Sequence, residues 1–224
     1  MNPRSRTLMI TEDGSHTVSV PHLKLTFHSR HGAIQESRHV FIEAGFYYIK
    51  NKFPEEPLSI LEIGFGTGLN AFLTAIETKA YEQPIRYTSI DIEPLEMLTT
   101  TALNYPDRLG HEELFNVIQL SPWNASSPVH ETFTLQKDIA DLLDFQCREL
   151  HHLIYFDAFS PEAQPELWTE EVFRKLGACM YPGGALVTYC SKSDVRRAMQ
   201  AAGWKVEKLP GPRGKREMVR AVRV

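Results

Sequence analysis

Residues Leu61 to Asn70 read LEIGFGTGLN, an apolar run that passes into a second apolar pattern through three glycines at alternate positions. Leu58, Ile60, Leu61 and Ile63 form a short buried-strand run, and Leu69, Phe72, Leu73 and Ile76 then recur at helical spacing. Gly64, Gly66 and Gly68 fall in the turn between them. Glycine tolerates positive φ there and leaves backbone N–H groups bare, so a ligand can approach closer than a Cβ would allow. Such a joint constrains the chain to an alternating α/β fold with a nucleotide-like ligand at the strand ends.

The spacing narrows the ligand. A dinucleotide fingerprint, G-x-G-x-x-G, would need its third glycine at position 69, where this chain has Leu69. Glu62 followed by G-x-G-x-G resembles instead the first motif of S-adenosylmethionine-dependent methyltransferases. An acid before the turn suits a cofactor whose aminoacyl end carries an ammonium. One helix and one strand later, IRYTSIDIEP ends in Asp91 and Glu93, acids placed to accept hydrogen bonds from ribose hydroxyls. A bland tight turn explains the glycines alone; the acid-ended strand that follows favours a cofactor loop over Glu62, Gly64, Gly66, Gly68, Asn70, Asp91 and Glu93.

At 224 residues, with 42% hydrophobic content, the chain is long enough for one α/β domain and an appendage, and too short for two catalytic domains. We place the appendage at 1–54 and the methyltransferase-type domain at 55–224. Neither a signal peptide nor a membrane-spanning run is expected. Cys147, Cys179 and Cys190 cannot all pair and lack C-x-x-C spacing, which favours a reduced, cytoplasmic setting without a zinc knuckle. His151 and His152 adjoin on a strand and point to opposite faces, so no metal site is expected.

Along the appendage, TLMITEDGSHTVSV predicts a hairpin around Asp13-Gly14, and alternating Leu23, Leu25 and Phe27 predict a third strand. The following segment turns helical, with Ile34, Val40, Phe41, Ala44 and Tyr48 as buried positions. After the first sheet strand the expected order is helix (69–80), strand (85–91), helix (94–103) and a short strand at Asn116 to Leu120. SPWNASSPVHETFTLQ is polar and carries prolines, and reads as a surface excursion. HHLIYFDAFSP contains a buried strand, PELWTEEVFRKLG a helix opened by Pro165, GGALVTYC another strand, and SDVRRAMQAAG a helix capped by Ser193. WKVEKL and REMVRAVRV finish as an antiparallel pair around PGPRGK. The whole predicts a mostly parallel sheet with helices on both faces and an antiparallel C-terminal strand.

Two further acids stand at strand ends. Asp138 is a candidate for contact beside the adenine, or a helix N-cap for IADLLDF, or both. Asp157 ends the apolar strand Leu153 to Phe156 and points into the crevice of the glycine loop. It can position an amine, accept its proton, or cap the following turn. Phe159 would wall the pocket. From Lys192 onward ten basic residues face three acids, a local +7 on a chain of net charge −4, which leaves −11 on the rest. A basic face on an acidic body still attracts a phosphate backbone, because screening confines fields to about 8–10 Å. A solvated face is the plainer reading, but the loop PRGKRE clusters Arg213, Lys215 and Arg216 closely.

The series DGS, HGAIQESRHVFI, LEIGFGTGLN, FDAFSPEAQPELW, VRRAMQAAGW and GKREM, in that order over nearly the whole chain, resembles the methyltransferase domain of the MnmC-like bifunctional tRNA 5-methylaminomethyl-2-thiouridine biosynthesis family. The resemblance implies a Rossmann-like class I fold and S-adenosylmethionine as cofactor. It further implies methyl transfer to the exocyclic amine of 5-aminomethyl(-2-thio)uridine at wobble position 34 of tRNA. On that reading Asp157 is catalytic and Phe159, Arg196, Lys215 and Arg216 bind substrate. Relatives also carry a flavin-dependent oxidase domain. This chain resembles a standalone form, whose aminomethyl substrate would come from a separate oxidase or upstream tRNA-modifying enzymes. Ala163-Gln164 stand where relatives often have a Lys-Asn pair, and the basic loop is shuffled. A small-amine methyltransferase or aminopropyltransferase-like enzyme is the alternative that needs no basic face; a non-catalytic RNA-binding module is the alternative that needs no turnover.

Overall fold

The computed structural model describes residues 6–224, so the first five residues of the expected appendage lie outside it. β1 (Thr7–Ile10) and β2 (His16–Val20) form the hairpin expected at Asp13-Gly14. The third strand is shorter than the alternation suggests. Pro21–Leu23 forms a 3-10 turn, and β3 (Leu25–Thr26) keeps only two residues on the hairpin edge. Proline at the head of that turn supplies no N–H for a ladder, which is why pairing starts late.

A continuous helical run follows, Ala33–Ser37, a π-helical stretch Arg38–Phe46, then Tyr47–Lys52. The wider turn moves the buried stripe from the positions a 3.6 period selects. Val40 and Phe41 are buried as expected and are joined by Ile42 and Phe46, while Ile34, Ala44 and Tyr48 are only half-buried.

The main sheet has eight strands: β4 (Leu58–Ile63), β5 (Ile85–Asp91), β6 (Ala125–His130), β7 (Phe133–Ile139), β8 (His151–Phe156), β9 (Met180–Thr188), β10 (Trp204–Pro210) and β11 (Glu217–Arg223). Their spatial order is β10-β11-β9-β8-β4-β5-β7-β6. β9, β8, β4, β5 and β7 run parallel, and β6, β11 and β10 pair antiparallel at the edges. The chain moves outward from β4 through β5 to β7 and returns to β8 on the other side of β4. That reversal opens a crevice at the carboxyl ends of β4 and β8.

Both faces are covered, which is why the central strands read as unbroken apolar runs. On one face Ile60, Tyr87, Leu153, Tyr155 and Val187 pack against Phe41, Phe46 and the helix Leu69–Thr78. On the other, Leu61, Ile154, Phe156 and Leu186 pack against helices Glu170–Ala178 and Ser193–Ala201. Trp168 lies in this second core.

Four local expectations are corrected. Asn116 to Leu120 is the end of a helix, Glu112–Leu120, whose Leu114, Phe115 and Ile118 share a buried face. The supposed surface excursion contains β6 and β7, with Phe133 and Leu135 fully buried. The disguise is Lys137, which takes the next inward position of β7 at 1% exposure. Its Nζ donates to the carbonyls of Ile118 and Gln119, at 3.0 and 3.1 Å, and lies about 5 Å from the rings of Phe65 and Trp123. Terminal helix carbonyls and aromatic faces replace the water this ammonium loses, and burial still lowers its pKa to about 8. The helix expected at 94–103 shortens to Met97–Thr101, and Pro165 opens only a 3-10 turn, the helix proper being capped by the Thr169 side chain.

Ser193 is the first residue of its helix and makes no capping bond; Lys192 occupies the cap. The reduced-cysteine expectation is also overturned: Cys147 and Cys179 are disulfide-bonded, with Cα atoms 5.8 Å apart, and Cys190 is free and buried. Residues 32 apart in sequence meet because one lies in the loop before β8 and the other just ahead of β9, its parallel neighbour. Among the described residues, no helix is long and apolar enough to cross a membrane, and no cluster of metal-ligating side chains occurs. His151 and His152 instead bond Ser59, through its hydroxyl and its backbone N–H respectively.

Candidate active site

The crevice at the β4/β8 reversal has a volume of about 650 Å³. Gly64, Gly66 and Gly68 all take positive φ, at 91, 52 and 74°, and turn β4 into the helix Leu69–Thr78. All three are close-packed: a Cβ would stand 2.9 Å from the Asp157 carbonyl oxygen at Gly64 and 2.7 Å from Gln119 Nε2 at Gly68, while Gly66 lies against the N-terminal segment. Its φ disfavours any side chain, and a Cβ there would stand 3.0 Å from the Phe27 ring. Asp91, at the end of β5, holds the loop by accepting the Gly66 N–H at 3.0 Å through Oδ2, and through Oδ1 it accepts the Glu93 N–H at 2.9 Å. Each carboxylate oxygen keeps a further lone pair for a ligand hydroxyl. Glu93 is exposed and lines the rim, paired with Arg6 at 3.2 Å.

Asp157 lines the floor, at the end of β8 as the strand reading requires. Asn70 Nδ2 donates to its Oδ2 at 2.9 Å, so the first residues of the helix orient the carboxyl that ends the neighbouring strand. Burial, then the nearby carboxyls of Glu62 and Glu36, push the Asp157 carboxyl well above the ordinary carboxylate range; Asn70 and Lys215 oppose that push. The group is therefore a stronger base than a surface aspartate. Phe159 also lines the crevice, edge-on to Phe27 with ring centroids 5.1 Å apart. Its backbone is pinned twice: its N–H donates to Gln164 Oε1 at 2.9 Å, and its carbonyl accepts from Trp168 Nε1 at 2.8 Å. Gln164, at the position where the family resemblance leads one to expect another residue, thus has a structural task.

Not every residue singled out in the sequence reaches the crevice. Glu62 is fully buried within β4, accepts the Ser89 hydroxyl at 2.7 Å, and is raised by burial to about 8. It is not among the residues that line the crevice, and its Oε1 is buried without a hydrogen-bond partner. Asp138 faces a separate cavity and is bonded by Gln136 of its own strand. The acid that does line the crevice beyond β7 is Asp141, whose Oδ1 accepts the Leu143 N–H at 2.8 Å and caps that turn. Asp138 caps no helix, because β7 runs on to Ile139 and IADLLDF continues as a turn rather than a helix. Arg196 spends its guanidinium locally, on the Ser191 carbonyl and the Ser193 hydroxyl. Arg216 is exposed, away from the crevice.

The opposite wall comes from segments far from the glycine turn and from one another in the chain. Phe27, His28 and Glu36 of the N-terminal segment line it, together with Tyr189 and Lys215. Burial depresses His28 to about 4, so its imidazole is neutral near pH 7. Alternation along the chain signals Phe27 but not the others, and Glu36, Tyr189 and Lys215 meet because β9, β11 and the helical run are neighbours.

Whether the residues fit S-adenosylmethionine can be judged from the crevice itself. Gly64 and Gly66 line the crevice without side chains, Asp91 offers spare acceptor capacity, and Asn70 Oδ1 is buried without a hydrogen-bond partner. A donor-rich aminoacyl group and a ribose match these acceptors, and Ile63, Ile92 and Leu142 offer apolar surface for a base. The group fits.

Comparison with known proteins agrees. Residues 129–224 match a family of S-adenosyl-L-methionine-dependent methyltransferases. The chain is 32% identical over 210 residues to the tRNA 5-methylaminomethyl-2-thiouridine biosynthesis bifunctional protein MnmC of Aromatoleum aromaticum, covering 87% of this chain and 32% of that protein. It thus spans about a third of that relative's length. Among solved structures it superposes on MnmC2 from Aquifex aeolicus with a TM-score of 0.80 and 24% identity, over 98% of this chain and 71% of the other. Spermidine synthase from Thermotoga maritima shares the fold more distantly, with a TM-score of 0.57 and 12% identity, over 100% and 71% of the respective chains. The chain is a homologue of the MnmC proteins, similar to them over most of its own length, and carries the Rossmann-like class I fold of S-adenosylmethionine-dependent methyltransferases.

Proposed function

We propose that this chain transfers a methyl group from S-adenosylmethionine to the exocyclic amine of 5-aminomethyl(-2-thio)uridine at wobble position 34 of tRNA. The observation that carries the reading is the Asp157 carboxyl, oriented by Asn70 on the floor of a crevice bounded by a glycine loop on one side and paired aromatic rings on the other. When bound, S-adenosylmethionine supplies an electrophilic methyl on a sulfonium.

The residues have three tasks. Gly64, Gly66 and Gly68, with Asp91 and Asn70, hold the donor and fix its direction. Asp157 receives the acceptor amine, which must present an unprotonated lone pair in line with the methyl. An alkyl ammonium has no such lone pair. A carboxylate of raised basicity in a partly desolvated crevice accepts the proton more readily, and the same desolvation lowers the pKa of the amine. Phe27 and Phe159 exclude water and offer ring faces to an extruded base, and a base in a flexible single-stranded loop costs little to extrude. Positioning of nucleophile and methyl supplies most of the acceleration.

The exposed Arg216, with Arg213, whose guanidinium is 67% exposed and pairs with Glu12 at 3.5 Å, is suited to the tRNA backbone. Domain limits at 54/55, cytoplasmic residence, and supply of the aminomethyl substrate by a separate oxidase or upstream enzymes belong to the same proposal. The test is methyl transfer to tRNA bearing 5-aminomethyluridine, compared with free polyamines, alongside mass spectrometry of wobble nucleosides from cells lacking the protein. Transfer to the tRNA and loss of the methylated nucleoside are expected. Transfer to polyamines alone would replace this reading with a small-amine enzyme, and donor binding without any turnover would leave an RNA-binding module.

A further inference from the structure

Lys215 is the residue whose place differs most from its sequence setting. It stands in the basic loop PRGKRE between β10 and β11, yet its side chain enters the crevice. Nζ donates to Glu36 Oε1 at 2.6 Å and lies 4.0 Å from the centre of the Tyr189 ring. Glu36 is 5% exposed and is itself fixed by the Ser29 N–H, which donates to Oε2 at 2.7 Å. The Tyr189 hydroxyl donates to the carbonyl of Ala158, the residue after Asp157, at 2.9 Å. The ammonium therefore rests on a ring whose far end is tied to the backbone beside the candidate base. Carboxylate and ring fix the lysine tip from two directions, and an ammonium has three N–H donors, so donor capacity remains for a ligand in the crevice.

We propose that Lys215 reads the base that carries the acceptor amine, donating a hydrogen bond to the carbonyl oxygen at C4 of a 5-aminomethyl pyrimidine. The inference rests on the methyl-transfer reading above and deepens it. In such a base the aminomethyl group is on C5, and the ring acceptor adjacent to it is the oxygen on C4. A substrate whose amine meets Asp157 presents that oxygen to a donor in the same crevice. A phosphate contact is the competing role and suits the geometry less. Phosphate affinity comes from unpaired positive charge and the counterions it releases, whereas Lys215 is neutralised at 2.6 Å by a buried carboxylate that would repel a phosphate. A neutral carbonyl meets no such repulsion. Glu36 and Tyr189 act through Lys215 as positioning residues.

The experiment is a cycle between enzyme and substrate. An anticodon stem-loop carrying 5-aminomethyluridine is compared with the same RNA carrying the analogue that lacks the C4 oxygen, using wild type, Lys215→Met and Glu36→Gln. Wild type is expected to lose about 10- to 100-fold in kcat/KM on removal of the oxygen, and Lys215→Met to show a similar loss on the normal RNA with little further loss on the analogue. Glu36→Gln should lose less and retain part of the discrimination. The salt slope of RNA binding should stay as in wild type for Lys215→Met. If wild type does not methylate the normal RNA, the functional reading fails and this inference with it. If wild type methylates both RNAs equally, or if Lys215→Met keeps the full discrimination or flattens the salt slope, base reading by Lys215 alone is overturned. Cofactor calorimetry on each variant, expected unchanged, serves as the check on folding; a Lys215→Met protein that no longer binds donor would assign the residue a structural role and also overturn the proposal.

Discussion

The two walls of the crevice are built on different principles. The wall proposed to hold the cofactor is a single continuous stretch, Leu58 to Thr78 with Asp91 beside it, and its turn presents backbone with few side chains. The opposite wall is a set of side chains from four distant segments, Phe27 with Glu36, Phe159, Tyr189 and Lys215, fixed by long-range contacts such as the pair across 179 positions between Glu36 and Lys215. A backbone cradle follows from local sequence and fails abruptly when a Cβ intrudes. A side-chain wall is assembled late, tolerates change in steps, and is where substrate choice can diverge.

This contrast gives a graded set of outcomes. Gly66→Val should abolish S-adenosylmethionine binding, because positive φ and the 3.0 Å approach to Phe27 leave no room for a branched side chain. Retained binding by calorimetry would show that the cradle is not backbone-made. Asp157→Ala should lower kcat by about 100-fold or more with donor affinity within a few-fold. In wild type the acid limb of the pH–rate profile should lie above the ordinary aspartate range, because the folded-state pKa is raised: activity needs the carboxylate and falls as pH drops through that value. An unshifted profile in the alanine variant would remove Asp157 from the proton transfer. Arg213→Ala with Arg216→Ala should reduce the slope of log affinity for tRNA against log salt by about one to two, with donor binding unchanged. A slope equal to wild type would place the RNA backbone elsewhere.

The smallest effect concerns what lies under the cofactor wall. Glu62 titrates at about 8 when folded, well above its unfolded value, so its favourable contribution is complete at low pH and is lost as pH rises towards 8. Glu62→Gln should therefore raise Tm by a few degrees above pH 8 and change it little near pH 4, measured by thermal unfolding across that range. A gain of equal size at both pH values would mean that the carboxyl is not buried uncharged in the native state.

Legibility in the sequence follows the same division. The glycine turn, Asp91 and Asp157 were visible because each sits at a strand end, and strand ends in a parallel sheet converge on one edge. β6 and β7 were not visible, since Lys137 breaks the apolar alternation with a charge that only the carbonyls of Ile118 and Gln119 make tolerable. Asp138 is singled out and Asp141 is not for the same reason: with β7 unseen, nothing marks its end at Ile139. The cysteine argument failed because spacing along the chain carries no information about two loops that parallel strands bring within 5.8 Å.

The α/β alternation, the glycine turn and the strand-end acid that faces it are legible along the chain, since all depend on neighbours a few residues apart and on the two-residue and 3.6-residue periods. That Lys215 turns inward to Glu36 while Arg216, the next residue, stays in solvent is a property of the assembled fold. That choice is made by a buried carboxylate far away in the chain, and the free energy of such a pair exists only once the fold has brought both charges out of water together.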